Sequence, residues 1–586
     1  MKIKFLSVIV LPAMLLSSCA LFASTKTFAR DIDVYDLDTL DDNGNLSSGY
    51  QTTLKTRYIG GREYIPYVTL QQYASLYESH FASGAKNSFQ KVGYQISWVV
   101  TIGNQAYFQA IIDYAARTIS FGGDLSATYA SNDDPRDLKA LNYGLDIDAD
   151  GKYLSDNTVA QFSYYGYQIS TFTYEGEFYF PLGLLDITFS NNSSIYFTYN
   201  YAHIMSTRDV DNYESLIYTD NGQEYTFDSQ MMTNRKSSII PSYLVDYNAY
   251  LFLYLMDNLY GLKDYYGISS MANYYKKAGI YSNLFSIIGS ERGQAYLDAL
   301  TILDDNHTAL VSVNGTWDEN QLYGRRYGTN VVNRSRLRSD LADRRERVYG
   351  TKKATKDILY SQDGKTAMIA FDSFAFGAED KVFNPDGSIK DTAKDYDTYF
   401  MILDVLRTLK NAGTVENVVL DISINGGGVL GVMMKLLALI SKNNSSDLSF
   451  YDDTTSLLTS YVSHVDSNDD GEYDASDSFG NDFNFYILTS DCSFSCGNAF
   501  PCIAQMLGDA KIIGQKSGGG ECIVAIHYMP NSEYVYHSSN LHLGFYDETS
   551  NKFTGFEGGA KPDITLAIND DFYSIEAINN AIKNAN

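Results

Sequence analysis

The sequence predicts a β-rich N-terminal region, then a helical segment, then an α/β domain built on a mostly parallel sheet with helices. Three observations lead there. At 586 residues the chain exceeds one ordinary hydrophobic core, so two or three domains are expected. Its 50 tyrosines against 9 prolines favour half-buried strands, because a tyrosine fits a pleated surface with one wet edge. Beyond residue 300, short apolar runs alternate with helical periodicity, the rhythm of β-α-β units.

Residues 25–235 carry short aromatic runs such as Tyr196–Tyr201, broken by Asp/Asn/Gly clusters at Asp41–Asn45 and Asn132–Pro135. Tyr64–Leu70 reads as a strand leading into a helix, and no catalytic constellation stands out there. Residues 236–300 turn helical: Leu244, Tyr247, Leu251, Leu255 and Leu259 recur at three- and four-residue steps until Gly261 and Gly267.

Residues 301–586 then alternate. Strands are expected at Lys365–Phe371, Asn417–Ile422, Phe485–Thr489 and Ala510–Gly514. Helices are expected at Tyr396–Lys410, Val429–Ile440 and Ala499–Leu507, with Pro501 interrupting the last. Loops at the C-terminal ends of such strands carry the site.

The first residues set the compartment. Lys2 and Lys4 precede an apolar run, Phe5 to Leu16, too short to span a bilayer and typical of a signal peptide. Residues 1–19 end in Leu16-Ser17-Ser18-Cys19, which resembles a bacterial lipobox whose cysteine becomes the lipidated first residue. The alternative is a secretory signal cut near Ala23-Ser24. Either way the expected location is a bacterial cell envelope, anchored to the membrane by lipid and facing outside the cytoplasm, or the medium. A formal charge of −27 argues against nucleic acid as a partner, since phosphates demand a basic footprint. Cys492, Cys496, Cys502 and Cys522 cluster late in the chain, either as small buried side chains or as disulfide partners.

Three segments could carry chemistry. Ser495 stands where a buried strand gives way to a helix, whose free N–H groups favour an adduct bearing an oxyanion; a plain helix cap is the alternative. Asn425-Gly426-Gly427-Gly428 ends another buried strand, and its glycines permit close approach of backbone N–H groups to a carbonyl oxygen. With no Gly-Lys-Ser/Thr after it, this is not a phosphate loop. His307 lies at the mouth of a strand.

Taken in order, His307-Thr308, Asp421–Gly428, Ser493-Phe494-Ser495, Ile512–Gly514 and Gly559–Ile564 resemble the tail-specific, or C-terminal-processing, protease family and its tricorn-core relatives. The resemblance covers the last part of the chain. It implies a crotonase-like fold, a peptide or protein substrate, and no cofactor for catalysis. It casts Ser495 as nucleophile, with the backbone N–H groups of Gly427 and Cys496 as the oxyanion hole. One branch of the family activates its serine with a lysine, whose position falls here on Gly520; Lys516 is out of register. The tricorn-like branch uses a histidine and a supporting glutamate, which points to His307 and Glu557, with Glu548 and Asp547 as fallbacks. Ser423 stands where the family has an arginine, and Gly497-Asn498 where it has a small residue and a glutamate. These departures keep open a second reading, an inactive surface lipoprotein that binds peptides or another ligand.

A separate run offers oxygen ligands from Asp466, Asn468, Asp470, Glu472, Asp474 and Asp477, with Gly471 at the bend. It matches a calcium loop, so a structural calcium is expected; a solvated acidic loop is the alternative. Asp146–Gly151 is a poorer copy that reads as a turn.

Overall fold

The computed structural model describes residues 26–585 apart from 37–50, 79–80, 124, 126–144, 155–157, 190–192, 198–200, 207–216, 221–222, 227–239, 313–327, 387 and 531–533. The expected signal peptide and Cys19 lie outside the described residues.

The chemistry-bearing part rests on a six-stranded sheet. Its order is Leu359–Tyr360, Thr366–Ala370, Asn417–Asp421, Asn484–Thr489, Ala510–Gly514, Ile564–Thr565. All neighbours from Thr366–Ala370 onward are parallel; the first pair is antiparallel. The central strands Thr366–Ala370, Asn417–Asp421 and Asn484–Thr489 are buried on both faces, which explains why they read as continuous apolar runs rather than alternating ones. The helices Thr398–Ala412, Leu430–Ile440 and Cys496–Leu507 pack into one apolar cluster with them. Asp397 caps the first through the Tyr399 and Phe400 N–H groups, and Gly413 ends it with φ 68°.

A second, antiparallel sheet runs Ala309–Ser312, Tyr534–Asp547, Ser446–Asp452, Leu457–Val465, Leu145–Tyr153. Cys522–Tyr528 and Lys552–Gly555 are also paired to its long strand Tyr534–Asp547. Leu145–Tyr153 comes from the N-terminal region, so Asp146–Gly151 is strand rather than the expected turn: it ladders onto Leu457–Val465. The N-terminal region adds a seven-stranded and a five-stranded sheet. One apolar cluster draws on these strands, on the helix Ser242–Leu259, and on Cys522, Met529 and Val535.

The helix Thr329–Tyr349 was not expected, and its composition explains why. It is strongly polar and buries only Leu341 and Arg345 among its described side chains. Polar contacts hold it instead. Asp304, held at φ 52°, accepts the Asn330 N–H at its N-terminus. The helix Cys496–Leu507 runs through Pro501 rather than being interrupted by it.

Candidate active site

The parallel strands Asn417–Asp421 and Asn484–Thr489 are neighbours, so the loops leaving their C-terminal ends meet. Serines staple the two turns together. Ser490 Oγ donates to the Ser423 carbonyl (2.5 Å), Ser493 Oγ donates to the Ile422 carbonyl (2.8 Å), and the Phe494 N–H donates to the Asn425 carbonyl (3.0 Å). Gly497 lets the helix start close in, for a Cβ there would lie 2.5 Å from the Asn425 oxygen. Held this way, Ser495 adopts φ 56° and ψ −126°, a region that non-glycine residues enter only under constraint. Its side chain is half-buried and opens into a cavity of about 820 Å³.

His307 lines the same cavity. Asp305 sets its backbone: one carboxylate oxygen accepts the His307 N–H (2.9 Å), and the other accepts the hydroxyls of Thr308 (2.6 Å) and Ser538 (2.7 Å). The imidazole is buried, lies 4.7 Å from the Phe494 ring centroid, and hydrogen-bonds to the Cys522 backbone. Its Nδ1 has no hydrogen-bond partner among the described residues. Burial pulls its pKa below the usual histidine value and Arg334 adds to this, against opposition from Asp305 and the Cys522 bond. The ring is therefore neutral, able to accept a proton.

The position expected for a lysine base is closed. A Cβ at Gly520 (φ 89°) would lie 2.5 Å from the Phe494 ring, so no side chain fits there. Lys516 is exposed and is not among the cavity's lining residues. Nor are the thiols ready nucleophiles. Burial pushes Cys496, Cys502 and Cys522 up to about 12, and all four late cysteines are free and buried.

Two expected partners are engaged elsewhere. The Gly427 N–H donates to Asn425 Oδ1 at 2.8 Å, whereas the Cys496 N–H belongs to the helix's first turn, which has no intrahelical acceptor. The Glu557 carboxylate accepts the N–H groups of Gly520 (2.9 Å) and Glu521 (3.0 Å) and makes no hydrogen bond to His307 among the described contacts. Burial raises its pKa. Asp547 instead turns a hairpin by accepting Thr549 N–H and Ser550 Oγ; neither it nor Glu548 lines the cavity.

Several site residues were missed by the sequence reading. Arg345 meets Asp421 (3.1 Å) and Asp372 (2.5 Å), both Arg345 and Asp421 being fully buried. Ser423 Oγ donates to Asp421 Oδ1 (2.6 Å). Arg334 clamps the nucleophile turn through the Asp491 and Gly518 carbonyls and lies 4.8 Å from the Phe494 ring. Asn498 donates to the Phe556 carbonyl (2.9 Å) and accepts from Ser517 (2.7 Å), tying the helix to the segment that bears Glu557.

Of the six oxygen ligands, Asp466, Asp470 and Asp477 come together, with ligand atoms within 4.8 Å of one another. Gly471 bends at φ 83°, as expected of the turn. Asn468 accepts the Asp470 N–H, Asp474 caps a short turn through Ser476, and Glu472 is exposed.

A constrained serine at a helix start that shares a cavity with a buried imidazole is consistent with a serine hydrolase. Residues 365–566 match the model of peptidase family S41, the tail-specific proteases. Among solved structures, a candidate peptidase from Parabacteroides merdae is 16% identical over 50% of this chain and 82% of its own, with a TM-score of 0.33. The photosystem II D1 C-terminal processing protease is 13% identical over 38% of this chain and 50% of its own (TM-score 0.27). Mature CPAF complexed with lactacystin is 11% identical over 59% of this chain and 98% of its own (TM-score 0.37). The comparison with curated proteins found no match.

Proposed function

We propose that this chain is an exported serine endopeptidase of the Ser–His kind, with its parallel sheet as a crotonase-like core. The observation that carries the reading is that Ser495 and His307, far apart in sequence, open into one cavity while Phe494 fills the alternative lysine position at Gly520. Ser495 Oγ attacks the peptide carbonyl as His307 takes its proton. The adduct's oxygen lies against the Cys496 N–H, and the Gly427 N–H exchanges Asn425 Oδ1 for it. His307 then protonates the leaving amine, and water releases the acyl group. Glu557 acts by holding the Gly520-Glu521 turn beside the cavity.

The absence of a Glu557–His307 hydrogen bond among the described contacts favours one rival, a binding-only relative. Labelling with a fluorophosphonate probe, read by mass spectrometry, decides between them. Modification at Ser495 is expected; an unlabelled, folded protein would establish the binding role.

Two further parts belong to this proposal. Cys19 carries a lipid anchor, which detergent partitioning of the native protein against Cys19→Ala tests; equal partitioning would refute it. The Asp466–Asp477 loop takes a calcium ion through Asp466, Asp470 and Asp477, supported by their convergence.

A further inference from the structure

Glu521 and Cys522, which line the cavity with Ser495 and His307, belong to a second cluster. Cys522 and His542 face each other directly across antiparallel strands. His542 Nδ1 is 2.8 Å from Glu521 Oε1 and 3.6 Å from Cys522 Sγ, and one ligand atom from each of the three residues lies within 4.8 Å of the others. On its other side, His542 Nε2 is 3.3 Å from Asp453 Oδ2.

This is a nitrogen, sulfur and oxygen donor set on a fixed strand pair. Zinc holds nitrogen and oxygen at about 2.0–2.2 Å and sulfur at about 2.3 Å in tetrahedral geometry, which sets N···S near ~3.6 Å and N···O near ~3.4 Å. The first spacing is already present. The second needs Glu521 Oε1 to withdraw by roughly half an ångström from its hydrogen bond, within reach of a side-chain adjustment. Asp453 stands where a carboxylate commonly orients a metal-bound imidazole from behind. A thiolate in the set disfavours calcium and magnesium.

We propose that Glu521, Cys522 and His542 form a three-ligand zinc site opening on the candidate active-site cavity, and that zinc bound there inhibits turnover. On binding, the Cys522 thiol gives its proton to solvent as the metal–sulfur bond forms. Inhibition follows from the neighbours. Glu521 Oε2 also accepts the Glu557 N–H (2.6 Å), and the Cys522 backbone bonds the His307 ring, so drawing both residues to a metal disturbs both contacts. The inhibition rests on the peptidase reading; the binding does not.

The test is a cobalt(II) titration of the reduced, chelator-treated full chain, followed by zinc displacement. One equivalent is expected to produce a thiolate-to-cobalt charge-transfer band, which zinc abolishes. The Ser495→Ala protein should show the same band, which separates the site from catalysis. Cys522→Ser should remove it, and Asp453→Asn should weaken binding about 10–100-fold without removing any ligand. Circular dichroism verifies that each variant is folded. No band in the wild-type protein, or a band that survives in Cys522→Ser, would overturn the proposal. If Cys522→Ser does not fold, an unchanged affinity in Asp453→Asn does the same.

Discussion

Gly427 lies directly against Ser495: a Cβ added at Gly427 would sit 2.8 Å from the Ser495 Cβ and 3.2 Å from the Cys496 nitrogen. Gly427 also holds φ 112°, where side chains are strained. The glycine run is thus the wall against which the serine is set. Gly427→Ala should destabilise the protein by about 1–3 kcal/mol and cost more in turnover than in substrate affinity. Denaturant melts and steady-state kinetics check both, and unchanged values would mean the loop yields freely.

Removing the Ser495 hydroxyl leaves little cavity, so Ser495→Ala should abolish peptide hydrolysis while keeping its melting temperature. His307→Ala should cost on the order of 10³-fold or more in turnover. Lys516→Ala should cost little, because that side chain is exposed. Reversal of the last two would move the base to lysine. The pH profile gives a further check. A base must be neutral to act, and burial lowers the His307 pKa, so activity should fall only as the pH drops below the usual histidine value of about 6.5. An acid limb above that value would contradict the assignment.

Arg345 is fully buried between Asp421 and Asp372, and the Ala354 N–H also bonds Asp372. Taking out the guanidinium strands the Asp421 charge inside the sheet. Arg345→Met should therefore destabilise the fold by about 3–5 kcal/mol, visible as a lower denaturant midpoint. A loss below 1 kcal/mol would show that Ser423 and Tyr573, which share a hydroxyl–hydroxyl contact of 2.8 Å, suffice for the carboxylate.

Asp466 Oδ1 is buried and has no hydrogen-bond partner among the described residues, beside Asp470 and Asp477, so like-charge repulsion there should be relieved by a hard cation. Binding to the folded state alone stabilises it by about 2.7 kcal/mol at a hundredfold excess over Kd. Millimolar calcium should raise the melting temperature, and Asp470→Ala should remove most of the rise. A flat response up to millimolar levels would leave only a solvated acidic loop.

Much of this protein was legible in its sequence, for local reasons. Strands buried on both faces must be apolar throughout, which marked Asn417–Asp421 and Asn484–Thr489. Turns that demand positive φ favour glycine, which marked Gly427 and Gly471. Five segments in order, His307-Thr308, Asp421–Gly428, Ser493–Ser495, Ile512–Gly514 and Gly559–Ile564, carried the resemblance to the peptidase family. Tertiary structure alone decided which groups meet. Arg345 reaches Asp421 across 76 residues from a helix whose polar composition gave no apolar period. Phe494 closes Gly520, Asn425 occupies the Gly427 N–H, Glu557 turns to backbone amides, and His542 finds Cys522 across a strand pair. Periodicity and turn chemistry act over a few neighbouring residues, whereas these contacts depend on strand order and register, which bring distant segments within hydrogen-bond reach.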